Sequence, residues 1–438
     1  MVRFRRFISA LAVISVVVSF LSVAACLAAD SNDFDFAHPG SHRIDLRDYT
    51  IGTSTGPLPI WLDGGMRAMV TNPNGSSTEY VNDRAPAGGR RWLWNHRYFY
   101  HLVRGLKPGK NLVRTRFFKM NSDQPVDEKV ITITYDPSLR PRRGQPVLVA
   151  ANESGSVLIA LSDRLPLAVL DLPNLLVHND LARAVAYDPR QNAMVSVDLL
   201  AMSVGSRLRN TPLYRRPRRL LANGQLVQLD DGDLYDLATE QLLDLPDNYA
   251  AISENGRYIV WEVATGYAIL DRADGATKTC KVSTRDFLSV NVSDFGEVAL
   301  ASYSWATGNL KILRDCQVIV EEDSMIDLLG DCVFLGSAAG SASTLAVAGG
   351  DANYLYERES EKLIRVDLQS GQVDLTRNWP ASTIRLTPGG SLLVATSKPQ
   401  PYSYSFYYRA ALYNSALSKI IPEIVVPDVV TAWSVSGV

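Results

Sequence analysis

"ENGRYIVWEVATGYAILDRADGATKTCKV", residues 254–282, carries the pattern on which the fold turns. A turn at Asn255 and Gly256 opens into an apolar-rich run from Tyr258 to Val263. A second run, Tyr267 to Leu270, passes through a polar turn around Asp274 and Gly275 into a third, ending near Val282. Short runs bounded by Gly, Asn and Asp are strand material, and helical periodicity is almost absent from the chain.

The first half of this unit recurs. "ESGSVLIAL", "RQNAMVSVD", "ANGQLVQLD", "DFGEVALASY", "SASTLAVAGG" and "PGGSLLVATS" each place a turn before an apolar-rich strand. With Gly256, their anchors are Gly155, Asn192, Gly224, Gly296, Ser343 and Gly390, spaced 37, 32, 32, 40, 47 and 47 residues apart along the chain. That period suits four-stranded propeller blades. The second half recurs in "LYDLATEQLLDL", "LKILRDCQVIVEE" and "IRVDLQSGQVDLT", each a strand, a tight polar turn and a strand, as in the outer half of a blade. Together these units resemble WD-repeat-like and YVTN-type propellers, in which Asp-x-x-x-Gly turns join the outer strands. No Trp-Asp dipeptide closes a blade and the sialidase-type Asp-box is absent. The expectation is an all-β chain whose residues 147–438 form a seven-bladed propeller. "VVTAWSVSGV" at the end supplies the strand that completes the blade around Val147–Leu158.

Residues 43–137 read differently, with alternating runs such as "IDLRDYTIG", "GMRAMVTN", "YFYHLVRGL", "NLVRTRFF" and "KVITITYD". "VRGLKPGKNLVRTRFF" resembles the E–F corner of fibronectin type III and bacterial Ig-like modules, through Gly105, Leu106, Pro108 and Gly109. The resemblance implies an N-terminal Ig-like β-sandwich in which Leu106 plugs the core and Pro108 and Gly109 set the turn. "DPSLRPRRGQ" reads as a linker, placed at 138–146.

Ahead of the sandwich, Arg3, Arg5 and Arg6 precede an apolar run from Phe7 to Val23, which is a secretory signal over residues 1–25. An uncleaved membrane anchor is the competing reading. Val23-Ala24-Ala25-Cys26 resembles the lipobox of bacterial lipoproteins, which implies lipidation at Cys26; cleavage after Ala28 or Ala29 competes with it. Residues 26–42 then form a tether. Leu27 follows the cysteine where an inner-membrane-retained lipoprotein would carry aspartate, so the implied location is the periplasm-facing outer membrane.

Composition narrows the function classes. The chain has 438 residues and a net charge of −2; without the three signal arginines the balance is 41 basic against 46 acidic residues, net −5. An acidic chain lacks the phosphate-neutralising surface of a nucleic-acid binder. After Cys26, three cysteines remain, enough for one disulfide in an oxidising compartment, and Cys280 with Cys316 is the expected pair although spacing alone does not decide it. No Cys/His cluster suggests zinc.

Several clusters could carry chemistry. His178 and Asp180 lack a GxSxG serine to make a triad, and a loop histidine beside a turn aspartate is the simpler reading. Asp230, Asp231 and Asp233 around Gly232 could bind Ca2+, or form a hairpin turn, which the Asp-Gly dipeptide favours. Glu254, Asp294 and Asp351 lie near edges where a propeller glycosidase carries its acids, but nothing separates them from turn residues. Arg207, Arg209, Arg215, Arg216, Arg218 and Arg219 form a run with no acid among them, which implies a solvated loop or an anionic partner. Tyr402, Tyr404, Phe406 and Tyr408 share one face of an alternating run, read as blade packing or as a contact surface. Trp92, Trp94, Tyr98 and Tyr100 lead into the Gly105 corner and read as sugar-binding, partner-binding or interdomain surface. Burial of alternate residues back from Val103 or back from Leu102 are both consistent with the sequence.

These features point to an exported, envelope-anchored scaffold without enzymatic activity, which binds envelope proteins through its propeller faces. A polysaccharide- or peptide-acting enzyme and a glycan-binding module are the alternatives. No cofactor is expected beyond the Ca2+ considered above.

Overall fold

The computed structural model describes residues 42–438, except 45, 84–96, 153, 178–180, 182–183, 247–248, 283–286, 304–307, 325–331, 339–340, 351–360, 378–382, 387–392, 397–408, 415–416, 426–431 and 437–438. Residues 1–41, and with them the signal, Cys26 and the tether up to Ser41, lie outside the described part. So do Trp92, Trp94, His178, Asp180, Asp351, Tyr402, Tyr404, Phe406 and Tyr408.

The N-terminal part is two sheets facing one core. Its strands are β1 (Arg43–Ile44), β2 (Tyr49–Ile51), β3 (Thr55–Leu62), β4 (Met66–Thr71), β5 (Ser77–Asn82), β6 (Arg97–Arg104), β7 (Gly109–Lys119) and β8 (Pro125–Tyr135). One sheet has the order β1-β3-β6 and the other β2-β8-β7-β4-β5, with β2 parallel to β8. Alternation places the sequence: Met66, Ala68 and Val70 of β4 face inward, as do Val113, Thr115 and Phe117 of β7.

The connection from β6 to β7 follows from backbone demands. Gly105 and Gly109 both adopt φ values in the left-handed region, +70° and +94°, which a side chain disfavours. Between them Leu106 is buried and its amide donates to the Ser54 carbonyl at 2.9 Å. Asn111 ties the corner from below. Its Oδ1 accepts the Lys107 amide, and its Nδ2 donates to the Lys107 and Gly109 carbonyls.

Register in β6 is settled by Val103 and His101, which are buried, while Leu102 and Tyr100 lie on the opposite face and are only half-buried. His101 reaches across to the second sheet, bonding Tyr80 on β5 and Asn72 after β4. The central strand β3 is buried on both faces. Leu58, Ile60 and Leu62 look into the sandwich; Pro57, Pro59 and Trp61 look out, yet Trp61 is only 2% exposed. A single apolar cluster explains this. It holds Trp61 and the sandwich core together with Leu148, Val157, Ile159 and Val169, and continues to Ala410 and Leu412. Tyr100 packs against this same cluster.

From Val147 onward, the described residues form seven four-stranded antiparallel sheets that follow one another as a β-propeller. Blade 1 consists of Val147–Ala151, Ser156–Ala160 and Pro166–Leu170, with Ala432–Ser436 as its innermost strand. Blade 2 is Leu176–Val177, Ala184–Asp188, Ala193–Asp198 and Ser203–Arg207. Blade 3 is Pro217–Leu221, Leu226–Leu229, Leu234–Asp236 and Gln241–Leu242. Blade 4 is Tyr249–Ile252, Tyr258–Val263, Gly266–Asp271 and Ala276–Cys280. Blade 5 is Phe287–Val292, Val298–Tyr303, Gly308–Arg314 and Gln317–Ser324. Blade 6 is Cys332–Ala338, Ser341–Gly350, Glu361–Asp367 and Val373–Arg377. Blade 7 is Thr383–Leu386, Leu393–Thr396, Arg409–Tyr413 and Lys419–Val425.

Trp433 pairs with Ala150 and Ser434 with Val149, so the chain's last strand closes the ring on its first blade. The repeat anchors do not all mark the same turn: Gly224, Gly256 and Gly296 lie between first and second strands, whereas Gly155 and Asn192 lie between second and third. The outer-strand turns are held by their leading aspartates. Asp271 accepts the Ala273 amide, and Asp367 accepts those of Gln369 and Ser370.

Candidate functional site

The turns joining the innermost strand of a blade to the second are the ones nearest the ring axis, and in blades 4 and 5 they carry a linked set of polar groups that reaches blades 3 and 6. Ser253-Glu254-Asn255-Gly256 forms this turn in blade 4, and Ser293-Asp294-Phe295-Gly296 forms it in blade 5. In both, the serine hydroxyl accepts an amide from further along the turn, that of Tyr258 and those of Phe295 and Glu297 respectively. A tight serine-capped turn then holds the following acid or amide side chain against the neighbouring blade.

Glu254 is nearly fully buried and takes the Arg219 guanidinium from the innermost strand of blade 3. Its backbone carbonyl accepts the Ala222 amide of blade 3 at 2.7 Å. Asn255, next in the chain, donates its amide to the Asp294 carboxylate of blade 5 at 2.7 Å and its side-chain nitrogen to the Asp294 carbonyl at 3.2 Å. Glu297, also buried, accepts from Ser293 and from Arg314, and receives the Ala342 amide of blade 6 at 3.5 Å. Three carboxylates thus join four consecutive blades.

Burial raises the pKa of Glu254, opposed by the Arg219 charge and its hydrogen bond, while the Asp294 charge adds to the rise. Burial also raises Asp294, against the hydrogen bond from Asn255. Of the acids considered from sequence as catalytic candidates, Glu254 and Asp294 are therefore brought into one electrostatic neighbourhood. Blade-to-blade partners hold Glu254 Oε2 and Asp294 Oδ1.

The arginine run spans the connection from blade 2 to blade 3 and the strands on either side of it. Arg219 belongs to Glu254, Arg215 pairs with Asp231 at 2.9 Å, and Arg209 approaches Glu240 at 3.6 Å. Arg216 lies 5.7 Å over the Tyr187 ring. The acids that neutralise this run lie in later strands and turns, so a count of local charges misses them. Arg207 and Arg218 are exposed. The connection from blade 2 to blade 3 that carries the run is fixed along its length. Leu208 donates to Met194, Tyr235 donates to the Arg209 carbonyl at 2.5 Å, and Asp230 donates its amide to the Arg216 carbonyl. Leu213 and Tyr214 project from it, 53% and 67% exposed; the arginines around them drew attention in the sequence and these two did not.

Asp230, Asp231 and Asp233 belong to the turn between the second and third strands of blade 3. The Gly232 amide donates to the Leu229 carbonyl, and the Asp233 amide donates to the Asp231 carboxylate. Tyr249 donates its hydroxyl to the Gly232 carbonyl and accepts from Gln228. This is the hydrogen bonding of a hairpin turn, and among the described residues no group of three or more His, Cys, Asp or Glu side chains is placed to hold a metal ion.

Cys280, on the outermost strand of blade 4, is joined by a disulfide to Cys316, in the outer turn of blade 5. Lys278 and Asp315 form an ion pair beside it at 3.0 Å. In the sandwich, Tyr98 lies on β6 opposite Trp61, and Tyr100 lies opposite Pro59.

No family model matches the chain, and no curated protein matches it. Among solved structures, a quinonprotein alcohol dehydrogenase-like protein from Bacteroides thetaiotaomicron is similar at 7% identity, over 90% of this chain and 99% of that one, with a TM-score of 0.38. TolB from Acinetobacter baumannii is similar at 8% identity, over 75% and 79% of the two chains, with a TM-score of 0.33. The Cps50 (Swd1) β-propeller domain of Myceliophteria thermophila is similar at 14% identity, over 59% and 91%, with a TM-score of 0.36. The propeller assignment rests on the chain's own strand pairing: seven four-stranded sheets closed by Ala432–Ser436.

Proposed function

We propose that this chain is an exported, envelope-anchored scaffold that binds partner proteins through the faces of its propeller, with the N-terminal sandwich as an Ig-like support. The observation that carries the reading is the use of the axial carboxylates. Glu254, Asp294 and Glu297 are spent on joining blades, which stiffens the ring and favours a binding role over acid–base chemistry. The sandwich meets the outermost strand of blade 1, a position at the rim that leaves the faces to partners.

The Ig-like reading is supported by the strand order: three strands against five, a parallel contact of the second strand β2 with the last strand β8, and the Leu106 corner between β6 and β7. Export is supported by the N-terminal signal pattern and by a disulfide of the kind that persists in oxidising compartments. Lipid anchoring rests on Val23-Ala24-Ala25-Cys26.

Cross-linking and affinity purification of the full chain from native envelope tests the scaffold. A stoichiometric protein partner lost in a Leu213→Ala, Tyr214→Ala variant with unchanged melting is the expected result. Recovery of no partner, or turnover of polysaccharide or peptide abolished by Glu254→Gln, overturns it in favour of an enzyme. Metabolic lipid labelling compared with Cys26→Ala tests the anchor; equal label in both removes it.

A further inference from the structure

The hairpin tip between β4 and β5 holds a reactive dipeptide that the binding role does not use. Asn74-Gly75 is one of three Asn-Gly dipeptides in the chain, with Asn223-Gly224 and Asn255-Gly256. Pro73 and Asn74 are the central residues of a turn closed by the Gly75 amide, which donates to the Asn72 carbonyl at 2.9 Å. Gly75 follows in the left-handed region, at φ +85°.

Ser76 brings two donors to one oxygen at this tip. Asn74 Oδ1 accepts the Ser76 amide at 3.0 Å and the Ser76 hydroxyl at 2.7 Å. The bond to the amide closes a ring through Gly75, which keeps the side-chain carbonyl beside the Gly75 nitrogen. Attack by that nitrogen puts negative charge on Oδ1, where both donors already sit. Asn255 has equivalent donors: its Oδ1 accepts the Arg257 amide at 2.9 Å and the Ser253 hydroxyl at 2.8 Å. The two turns differ in freedom. Gly256 is buried, a Cβ on it would meet Leu226 at 2.9 Å, and Asn255 Nδ2 is held by the Asp294 carbonyl. Pro73, Asn74, Gly75 and Ser76 are all exposed, and a Cβ on Gly75 would meet nothing within 4 Å.

We propose that Asn74 is a self-modification site, where the side-chain amide is exchanged for an acid with water as the only co-reactant. The Gly75 nitrogen gives its proton to solvent and bonds to Asn74 Cγ; the Cγ–Nδ2 bond breaks, and Nδ2 takes up a proton and leaves as ammonia. Water then opens the succinimide at either carbonyl, giving aspartate or isoaspartate, with no change of oxidation state. Isoaspartate carries Cβ and Cγ in the main chain and adds one backbone atom to a loop that Asn72 closes by donating its amide to the Ser76 carbonyl. The slack falls on Asn72, whose Nδ2 donates to Ser76 Oγ and whose Oδ1 meets His101 Nε2 on β6. Modification at the tip therefore loosens the tie between the two sheets.

The test ages the full chain at pH 8, folded and in urea, and maps residues 74 and 255 by mass spectrometry. In the folded chain Asn74 is expected to convert while Asn255 persists; in urea the two convert at similar rates. Ser76→Ala slows conversion in the folded chain about fivefold, the worth of one hydrogen bond to the developing charge, and Ser76→Thr restores it. The isoaspartyl form, separated by its added charge, exchanges amide deuterium faster over residues 72–77. Conversion of Asn255 at the Asn74 rate in the folded chain overturns the proposal, as does a Ser76→Ala chain that converts like the parent. So does an Asn74 that persists when folded yet converts in urea, since the bond from Gly75 to Asn72 would then protect it. Unchanged exchange over residues 72–77 overturns the loosening.

Discussion

The Gly52 amide donates to the Leu167 carbonyl at 2.8 Å, and through this bond the sandwich adds to the outer edge of blade 1. One residue on, the Thr53 hydroxyl accepts the Val169 amide at 3.0 Å. Gly52 is required by space: a Cβ there would lie 2.3 Å from the Leu139 carbonyl oxygen, a backbone atom that cannot yield without moving the connection. Gly52→Ala is therefore expected to destabilise the joint by about 1–3 kcal/mol. Limited proteolysis between residues 136 and 146 reads it: the variant is cut there faster than the parent, and equal rates would show that the joint does not depend on this approach.

His101 sits between Tyr80 and Asn72 in the sandwich core. Its Nδ1 accepts the Tyr80 hydroxyl at 2.7 Å and its Nε2–H donates to Asn72 Oδ1 at 2.9 Å. Asn72 donates its own side-chain nitrogen to Ser76, which turns Oδ1 toward the histidine. Charging this ring would bury a cation among neutral partners, and burial pushes its pKa down to about 4. The unfolded chain, with an ordinary histidine near 6.5, binds that proton first, so stability falls as pH drops from about 6.5 through 4, by up to about 3 kcal/mol. Urea denaturation at pH 7, 5.5 and 4.5 is expected to show a steeper acid loss in the parent than in His101→Gln.

The Arg219–Glu254 pair predicts asymmetric mutational effects. Arg219→Ala leaves a buried carboxylate without its cation and is expected to cost about 3 kcal/mol at pH 7. Glu254 has a folded pKa raised by burial, so its unfavourable contribution grows as pH rises past the unfolded carboxylate range and is complete above the folded value, and the loss in Arg219→Ala should shrink as pH falls. Arg219→Met with Glu254→Gln removes both charges and is expected to cost less than Arg219→Ala alone. A double-mutant cycle by chemical denaturation measures the coupling.

Reducing Cys280–Cys316 opens a link spanning 36 residues of sequence and joining blades 4 and 5. Chain-entropy arithmetic for a loop of that length gives about 4 kcal/mol. Dithiothreitol is expected to lower the melting temperature of the parent and leave a Cys280→Ser, Cys316→Ser variant unmoved. The exposed Lys278–Asp315 pair beside it adds little, so Lys278→Ala should shift melting by less than the disulfide does.

How far the sequence discloses these features depends on the range of the interaction. The Gly105–Gly109 corner is legible because its positive φ angles and its plugging leucine lie within five residues. The blade units are legible because each strand answers to its own Gly or Asn turn. Their offset is not, because the innermost strand of blade 2 is only Leu176–Val177, too short to carry a pattern. Glu254 and Asp294 look like turn residues because they are turn residues. What distinguishes them comes from Arg219 and Asn255, each on the preceding blade. The partners of the arginine run are hidden for the same reason, since Asp231, Glu240 and Glu254 arrive from later strands and turns.

The closure of blade 1 by Ala432–Ser436 has a consequence for biogenesis. The strand that completes the first blade is made after the other six blades, so Val147–Ala151 must wait with one edge unpaired while the rest of the propeller is synthesised. Meanwhile the last strand of any nearby copy carries the same complementarity. Whether a chain closes on itself or exchanges strands with a neighbour is set by a contest of concentrations: the effective concentration across its own ring against the density of unfinished copies around it. Low expression should give closed monomers, and crowded synthesis should yield dimers that swap their final strand.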